Sequence, residues 1–344
     1  MGVTSIKVSV IPLGYFFMLF VTFTSILNPI FASKICEFPA IFNLGDSNSD
    51  TGTLSAAFTP PNSPNGDTYF HMPSGRFSDG RLIIDFVAKS FDLPFLSAYL
   101  NSLGTSYTHG ANFASARATV RFPSPIIPAN GGYSPFYLDV QYQQFLHNMS
   151  IEEVKASVPD IVNTFSIYVK NIYELGGRSF WIHGTGPIGC LAYVLTAFPS
   201  AEKDSAGCAK QYNEVARYFN YKLKEAVSQL RKDLPLAALT FVDLYPVKYS
   251  LFTEPKKYGF ELPLIVCCGY GGKYNYSDAA QCGETITVNN TKMVVGSCDN
   301  PSVRVNWDGS HYTDAANKFV FDRISTGEFS DPPIPLSMAC RRNA

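Results

Sequence analysis

The stretch Pro39–Gly52, PAIFNLGDSNSDTG, decides how this chain is read. A short apolar run stops at Gly45-Asp46-Ser47, and small polar residues follow. The junction fits two readings. Ser47 is either a nucleophile held at the end of a buried strand that closes over Phe42 to Leu44, or only the polar start of a turn or helix. Its immediate neighbours do not separate the two, so the rest of the chain has to.

Outward from this junction, strand-like and helix-like pieces alternate. RLIIDFVAKSF (Arg81–Phe91) places Leu82, Ile83, Phe86, Val87 and Phe91 on one helical side. IEEVKASVPDIVNTFSIYVKNIYELGG predicts a long helix with a proline kink, closed by Gly176-Gly177. SFWIHG follows as a strand and TGPIGC as a turn. KQYNEVARYFNYKLKEAVSQLRKDL is a second long amphipathic helix, AALTFVDLY the next strand and TDAANKFVFDRI the last helix. This alternation predicts an α/β fold whose mostly parallel sheet is covered on both faces. Ligands of such sheets gather at the carboxyl ends of the strands, where Ser47 would stand. Residues 259–303 are rich in Gly, Cys and polar residues without a clear period. A loop that long needs disulfides or glycans to hold it.

The N-terminus has one cation, Lys7, then a nearly uncharged apolar stretch, then small residues at Ala32 and Ser33. That order is the order of a secretory signal over residues 1–33, leaving one domain over 34–344. Pro12 and Pro29 interrupt the apolar stretch and no basic cluster follows, which argues against a membrane anchor after cleavage. All eight cysteines, Cys36, Cys190, Cys208, Cys267, Cys268, Cys282, Cys298 and Cys340, lie beyond the cut. An even count in an exported chain implies disulfides, with the pairing left open. No Cys-x-x-Cys occurs and the five histidines are scattered, so nothing indicates a zinc site or another cofactor. Asn148-Met-Ser, Asn275-Tyr-Ser and Asn289-Asn-Thr are glycosylation sequons. A formal net charge of −1 with no basic block excludes a nucleic-acid partner.

A serine attacks a carbonyl only if a base takes its proton and another group orients that base. VRVNWDGSHYTDAANK (Val303–Lys318) offers both. Asp308 and His311 are three apart, and on a tight turn entering a helix the carboxylate reaches the imidazole and fixes its tautomer. His311 would then face Ser47 across the mouth of the sheet. The plainer alternative is that Asp308 caps the last helix and His311 is a surface residue.

The two ends together, FNLGDSNSDTG and NWDGSHYTDAANK, resemble the plant GDSL-type esterase/lipases of the SGNH hydrolase superfamily. PSGRFSDGRLIIDFVA, YTHGANFASA and GGRSFWIHGTGPIGCLAYVL match the same family in order and spacing. The chain is most similar to the early-nodulin-like branch, some members of which carry an alpha-fucosidase label. The resemblance implies a three-layer α/β/α fold, secretion to the cell wall or apoplast, and hydrolysis of esters through an acyl-enzyme. Its substrates would be esters of small molecules, lipids or wall polysaccharides. It makes Ser47 the nucleophile, His311 the general base and then acid, and Asp308 the orienting carboxylate.

The family also supplies three donors to the oxyanion: the nucleophile's own N–H, a glycine N–H in the second motif and the amide of an Asn in Gly-x-Asn-Asp. Ser47 keeps the first. Five residues on from Asn112 stands Arg117 where the family has glycine, and a side chain there resists the close approach that glycine permits. The third is absent, because no Asn-Asp dipeptide occurs in the 344 residues. Between YSPFYLDVQYQQF and LHNMSIEEVKASVPDIV nothing reads as a buried strand, so one central strand is missing with the motif. Asn148 is the other Asn there, without an apolar run before it. Losing one oxyanion donor typically costs about 10²–10³ in turnover, and losing a strand also removes ladder bonds and packing. The expectation is an esterase by descent with reduced or no activity. Two rivals stand beside it: a non-catalytic secreted glycoprotein that keeps the cleft for binding, and a glycosidase drawing two carboxylates from Asp46, Asp50, Asp79 and Asp308. Asp79-Gly80 is expected in a turn, Arg76 and Arg81 in structural pairs near it, His109 in a structural rather than a catalytic role, and His183 in a local hydrogen bond. Gly186, Pro187 and Gly189 are expected to shape a turn bordering the cleft.

Overall fold

The first strand, β1 (Ile41–Asn43), is short and lies parallel to β2 (Gly110–Asn112), with Asn43 opposite Asn112. A computed structural model describes residues 35–101, 105–116, 118 and 150–341. The expected signal sequence over residues 1–33, Arg117, Asn148 and the stretch where Gly-x-Asn-Asp belongs lie outside the described residues. From Cys36 onward the chain forms one compact unit. Between the first two strands come α1 (Thr53–Ala57) and α2 (Ile83–Ser90). Asp85 in the first turn of α2 accepts the Leu82 N–H at 2.9 Å and so satisfies a backbone donor the helix leaves open.

The second half has the alternation expected of it. Helix α3 (Ile151–Glu174) starts at Ser150, whose hydroxyl accepts the Glu153 N–H while Glu153 reaches back to the Ser150 N–H. It runs through Pro159 and ends before Gly176, whose φ of +101° suits a residue without Cβ. Then follow β3 (Ser179–His183), α4 (Ala192–Ala197), α5 (Lys210–Asp233), β4 (Ala238–Val242), α6 (Leu244–Thr253) and α7 (Asp314–Ile324). β3 and β4 are parallel, and the two-residue β7 (Ser330–Asp331) adds antiparallel to β4.

Three layers follow from side-chain period. β4 is buried at all five positions, so its alternate residues serve two cores. Leu239 and Phe241 pack with Val158, Val162 and Val169 of α3 and Leu223, Val227 and Leu230 of α5. Val242 packs with Val247 and Leu251 of α6 and Phe319, Val320 and Ile324 of α7. The three- and four-residue spacing of those helix positions makes one apolar stripe per helix. Burying each such side chain stabilises by about 1.5–3 kcal/mol, and Leu230→Ala would cost about 2–5 kcal/mol. The result is an α/β fold with helices on both faces of the β3–β4 sheet.

The first strand departs from expectation. Phe42 and Leu44 are each 62% exposed, so β1 is not a buried strand. Its only ladder among the described residues is to β2, and β3 pairs only with β4. Among the described residues the parallel strands form two separate pairs. A strand without a neighbour on one side loses the cover that neighbour's side chains and flanking helix would give.

Residues 259–303 are better organised than their composition suggests. Cys267–Cys298 and Cys268–Cys282 staple the segment, and β5 (Thr285–Val288) and β6 (Thr291–Val294) form a hairpin turned at Asn289-Asn290, both at positive φ. Cys190–Cys208 and Cys36–Cys340 complete four disulfides, leaving no free thiol. Among the described residues no helix is long and apolar enough to cross a membrane, and no group of His, Cys, Asp and Glu is placed to hold a metal ion.

Candidate active site

Ser47 sits in the tight turn that follows β1, and it is 8% exposed. Paired strand ends brace this turn. Asn43 Nδ2 donates to Asn112 Oδ1 at 2.8 Å, and Asn112 Nδ2 donates to the Ser49 carbonyl at 2.6 Å and to Thr51 Oγ1 at 2.8 Å. Asp50, fully buried, accepts the backbone N–H groups of Gly52, Thr53, Leu54 and Ala116 at 2.6–3.1 Å. It thereby caps α1 and ties the Ser47 turn to the loop after β2. Asp46 Oδ1 accepts the Asn48 N–H at 2.8 Å.

At the other end of the chain the structure brings Asp308 and His311 together. The Nδ1 nitrogen of His311 lies 2.8 and 2.7 Å from the two Asp308 oxygens. Oδ1 also accepts the N–H groups of Ser310 and His311, each at 2.9 Å. Burial pushes the Asp308 carboxyl up, but His311 and these hydrogen bonds outweigh it and hold it below the usual carboxylate range. A carboxylate so placed fixes the Nδ1–H tautomer and leaves Nε2 as the basic nitrogen. Asp308 therefore serves the imidazole, while Thr313 caps α7 by accepting the Ala316 N–H at 3.1 Å.

The turn that carries this pair is anchored from beneath. Trp307 is fully buried among Cys267, Cys268, Cys282 and Cys298, and its indole N–H donates to Asn65 Oδ1 at 2.9 Å. Trp307 N–H closes the turn on the His311 carbonyl at 2.8 Å. The Phe77–Arg81 segment clamps it from the side. Phe77 stacks on the His311 ring with centroids 5.3 Å apart. Asp79 accepts the Asp314 N–H at 2.7 Å, and Arg81 pairs with the Asp314 carboxylate at 2.9 Å. Arg76 makes a buried two-point pair with Asp85 at 2.7 and 2.8 Å. Both arginines are thus structural, as expected. Tyr276 lies against Gly309, where a Cβ would collide with its ring.

Lys248 of α6 packs beside the turn that carries His311. Its ammonium is 4.1 Å from the Tyr312 ring centroid, and the charge of Asp46 acts on it. Gly186 borders the same place, because a Cβ there would come within 2.7 Å of Lys248 Cδ, and Gly189 is packed against Asn213 of α5. His109 Nδ1 is 3.1 Å from the carbonyl of Pro39, 70 residues back in the chain, a contact between the segments that lead into β2 and β1. His183 behaves otherwise: its Nε2 is buried without a hydrogen-bond partner.

The four carboxylates proposed for a glycosidase are unevenly free. Asp50 and Asp79 are buried against backbone donors, and Asp308 is committed to His311. Of the sequons, Asn289 is exposed at the hairpin turn, whereas Asn275 Nδ2 donates to the Val266 carbonyl at 3.2 Å. Phe77, Tyr276 and Lys248 were not legible as site residues, since each acts through a contact far along the chain.

Comparison with known proteins adds a lineage to this geometry. Residues 41–324 match the family model for GDSL-like lipase/acylhydrolase proteins. The chain is 59% identical to an esterase of Hevea brasiliensis over 92% of both chains, and 54% identical to the GDSL esterase/lipase ENOD8 of Medicago truncatula over 92% and 94%. It is 43% identical to a protein named alpha-L-fucosidase 3 of Arabidopsis thaliana over 92% and 96%. The Hevea alignment runs over 361 positions, yet 92% of 344 residues is about 316. About 45 positions of that relative accordingly have no residue opposite them here.

Proposed function

This chain belongs to the GDSL-like lipase/acylhydrolase family, and we propose that it is a secreted carboxylic ester hydrolase with Ser47 as nucleophile. His311 takes the Ser47 proton as the hydroxyl attacks the ester carbonyl, then returns it to the leaving alcohol. Water repeats the cycle on the acyl-enzyme, and Asp308 steadies the imidazolium at each proton transfer. The observation that carries this reading is the Asp308–His311 pair, 2.7 Å apart on a turn held by Trp307, Phe77 and Asp79. A capping aspartate and a surface histidine would need no such bracing. Substrates are small-molecule, lipid or wall-linked esters, and four disulfides support maturation in an oxidising compartment such as the apoplast.

Turnover is lower than that of full-length relatives. The oxyanion of the tetrahedral intermediate needs fixed donors, and the Asn that the family provides belongs to the segment missing here. The unmatched positions in the Hevea alignment support that reading. The test is release of p-nitrophenol from its butyrate ester by purified protein. Slow turnover that Ser47→Ala abolishes supports the assignment. Turnover unchanged in Ser47→Ala overturns it, and release of fucose that survives the same substitution would favour a glycosidase.

A further inference from the structure

Phe77 is an aromatic side chain that fills no core. It is half-buried between the buried residues Arg76 and Ser78, and it belongs to none of the apolar clusters that hold the layers together. Yet the chain on either side of it is fixed. Arg76 holds Asp85 at 2.7 and 2.8 Å, and its guanidinium lies over the Phe70 ring at 4.5 Å. The Ser78 carbonyl accepts the Gly66 N–H and the Asp79 carbonyl the Thr68 N–H, each at 2.8 Å. So much anchoring around one half-buried ring directs attention to what that ring touches. Its ring partner among the described residues is His311, with centroids 5.3 Å apart and planes 27° from parallel, an offset stack.

The bond to Asp308 leaves the imidazole one freedom. Contact between Nδ1 and the carboxylate sets the direction of the Nδ1–H bond, but the ring can still turn about that line. Turning carries Nε2 along an arc, because Nε2 does not lie on the line. A flat neighbour against the ring face removes that motion, and Phe77 is such a neighbour. Proton transfer needs its two heavy atoms within hydrogen-bond reach and aligned, so the direction of Nε2 bears on turnover far more than on substrate binding. We propose that Phe77 is a positioning residue for ester hydrolysis, a role that rests on the esterase reading of this site. It fixes the plane of His311, so that Nε2 keeps one direction. Asp308 sets the tautomer and Phe77 sets the plane.

The chain has five histidines, so selective ring-carbon labelling of histidine gives few signals, and His311→Gln identifies the one that matters. Phe77→Leu removes the flat face but keeps apolar bulk, Phe77→Tyr keeps the face, and Phe77→Met replaces Phe77→Leu should the latter not fold. Nuclear relaxation reads the order of the His311 ring without any turnover. The order parameter should fall from about 0.85 in the parent and in Phe77→Tyr to below about 0.6 in Phe77→Leu. With p-nitrophenyl butyrate, Phe77→Leu should lose about 10–10²-fold in kcat with KM within twofold, and Phe77→Tyr should stay within twofold of the parent. A His311 ring equally ordered in Phe77→Leu, or a loss of turnover that Phe77→Tyr shares, would overturn the proposal. Turnover that survives His311→Gln refutes the esterase reading itself, whereas turnover that needs His311 but ignores Phe77→Leu refutes only the positioning role.

Discussion

Replacing Asp308 by Asn separates the orienting role of this carboxylate from its role in the turn. Oδ1 accepts the N–H groups of Ser310 and His311 at 2.9 Å, and an amide oxygen in its place keeps both bonds. Oδ2 lies 2.7 Å from Nδ1 of His311, and there the variant presents an N–H donor instead. Oδ1, 2.8 Å from Nδ1, is already shared by two backbone N–H groups, so the new donor at Oδ2 shifts the ring toward the tautomer protonated on Nε2, which is no base. The expected fall in kcat is about 10³–10⁴-fold, the usual consequence of the wrong tautomer. One charge-assisted hydrogen bond, worth about 1.5–3 kcal/mol, is lost with it. The turn should survive, because its backbone bonds, Trp307 and the disulfides are untouched. The assay is aryl-ester turnover in parallel with thermal unfolding and near-ultraviolet circular dichroism. Activity within threefold of the parent, in a variant that folds, would refute the orienting role.

Other predictions follow from separate parts of the molecule. Lys248 is lowered to about 8 by burial, so the folded chain binds fewer protons than the unfolded one between about pH 8 and pH 10.4. Stability should therefore rise across that window, by about 2–4 kcal/mol, and chemical denaturation of Lys248→Met should show no such rise. Peptide mapping after enzymatic deglycosylation should find Asn289 modified and Asn275 bare, since only the former is exposed; a glycan on Asn275 would contradict its bond to Val266. Opening Cys36–Cys340, which spans 304 residues, by a double serine substitution should cost up to about 5 kcal/mol in urea denaturation. Restoring the absent segment from the Hevea relative should raise turnover by about 10²–10³-fold; no gain would mean that the loss of the oxyanion Asn is not what limits this chain.

Much of this was legible because its causes are local. The stripe of α5, from Tyr212 to Leu230, repeats every three or four residues. The run Ala238–Val242 reads as a strand through its apolar continuity. The Asp308–His311 spacing foretold a contact because both sit on one turn. What was hidden depends on distant partners. The exposure of Phe42 and Leu44 depends on what packs beside β1 from elsewhere in the chain, which no local pattern encodes. Asp50 looked available for catalysis, yet Ala116 and the start of α1 use it up. The β5–β6 hairpin escaped notice because its strands are half polar, although Asn289-Asn290 at positive φ is a hairpin signal in its own right. Phe77 gave no sign of stacking on a ring more than two hundred residues away.

The central claim is that one hydroxyl is made nucleophilic by a remote imidazole, and covalent trapping tests it most directly. Incubation with an alkyl fluorophosphonate, followed by digestion and mass spectrometry, should give a single adduct on Ser47 that forms far more slowly in His311→Ala. An adduct on another serine, or labelling of Ser47 at an unchanged rate without His311, would contradict it.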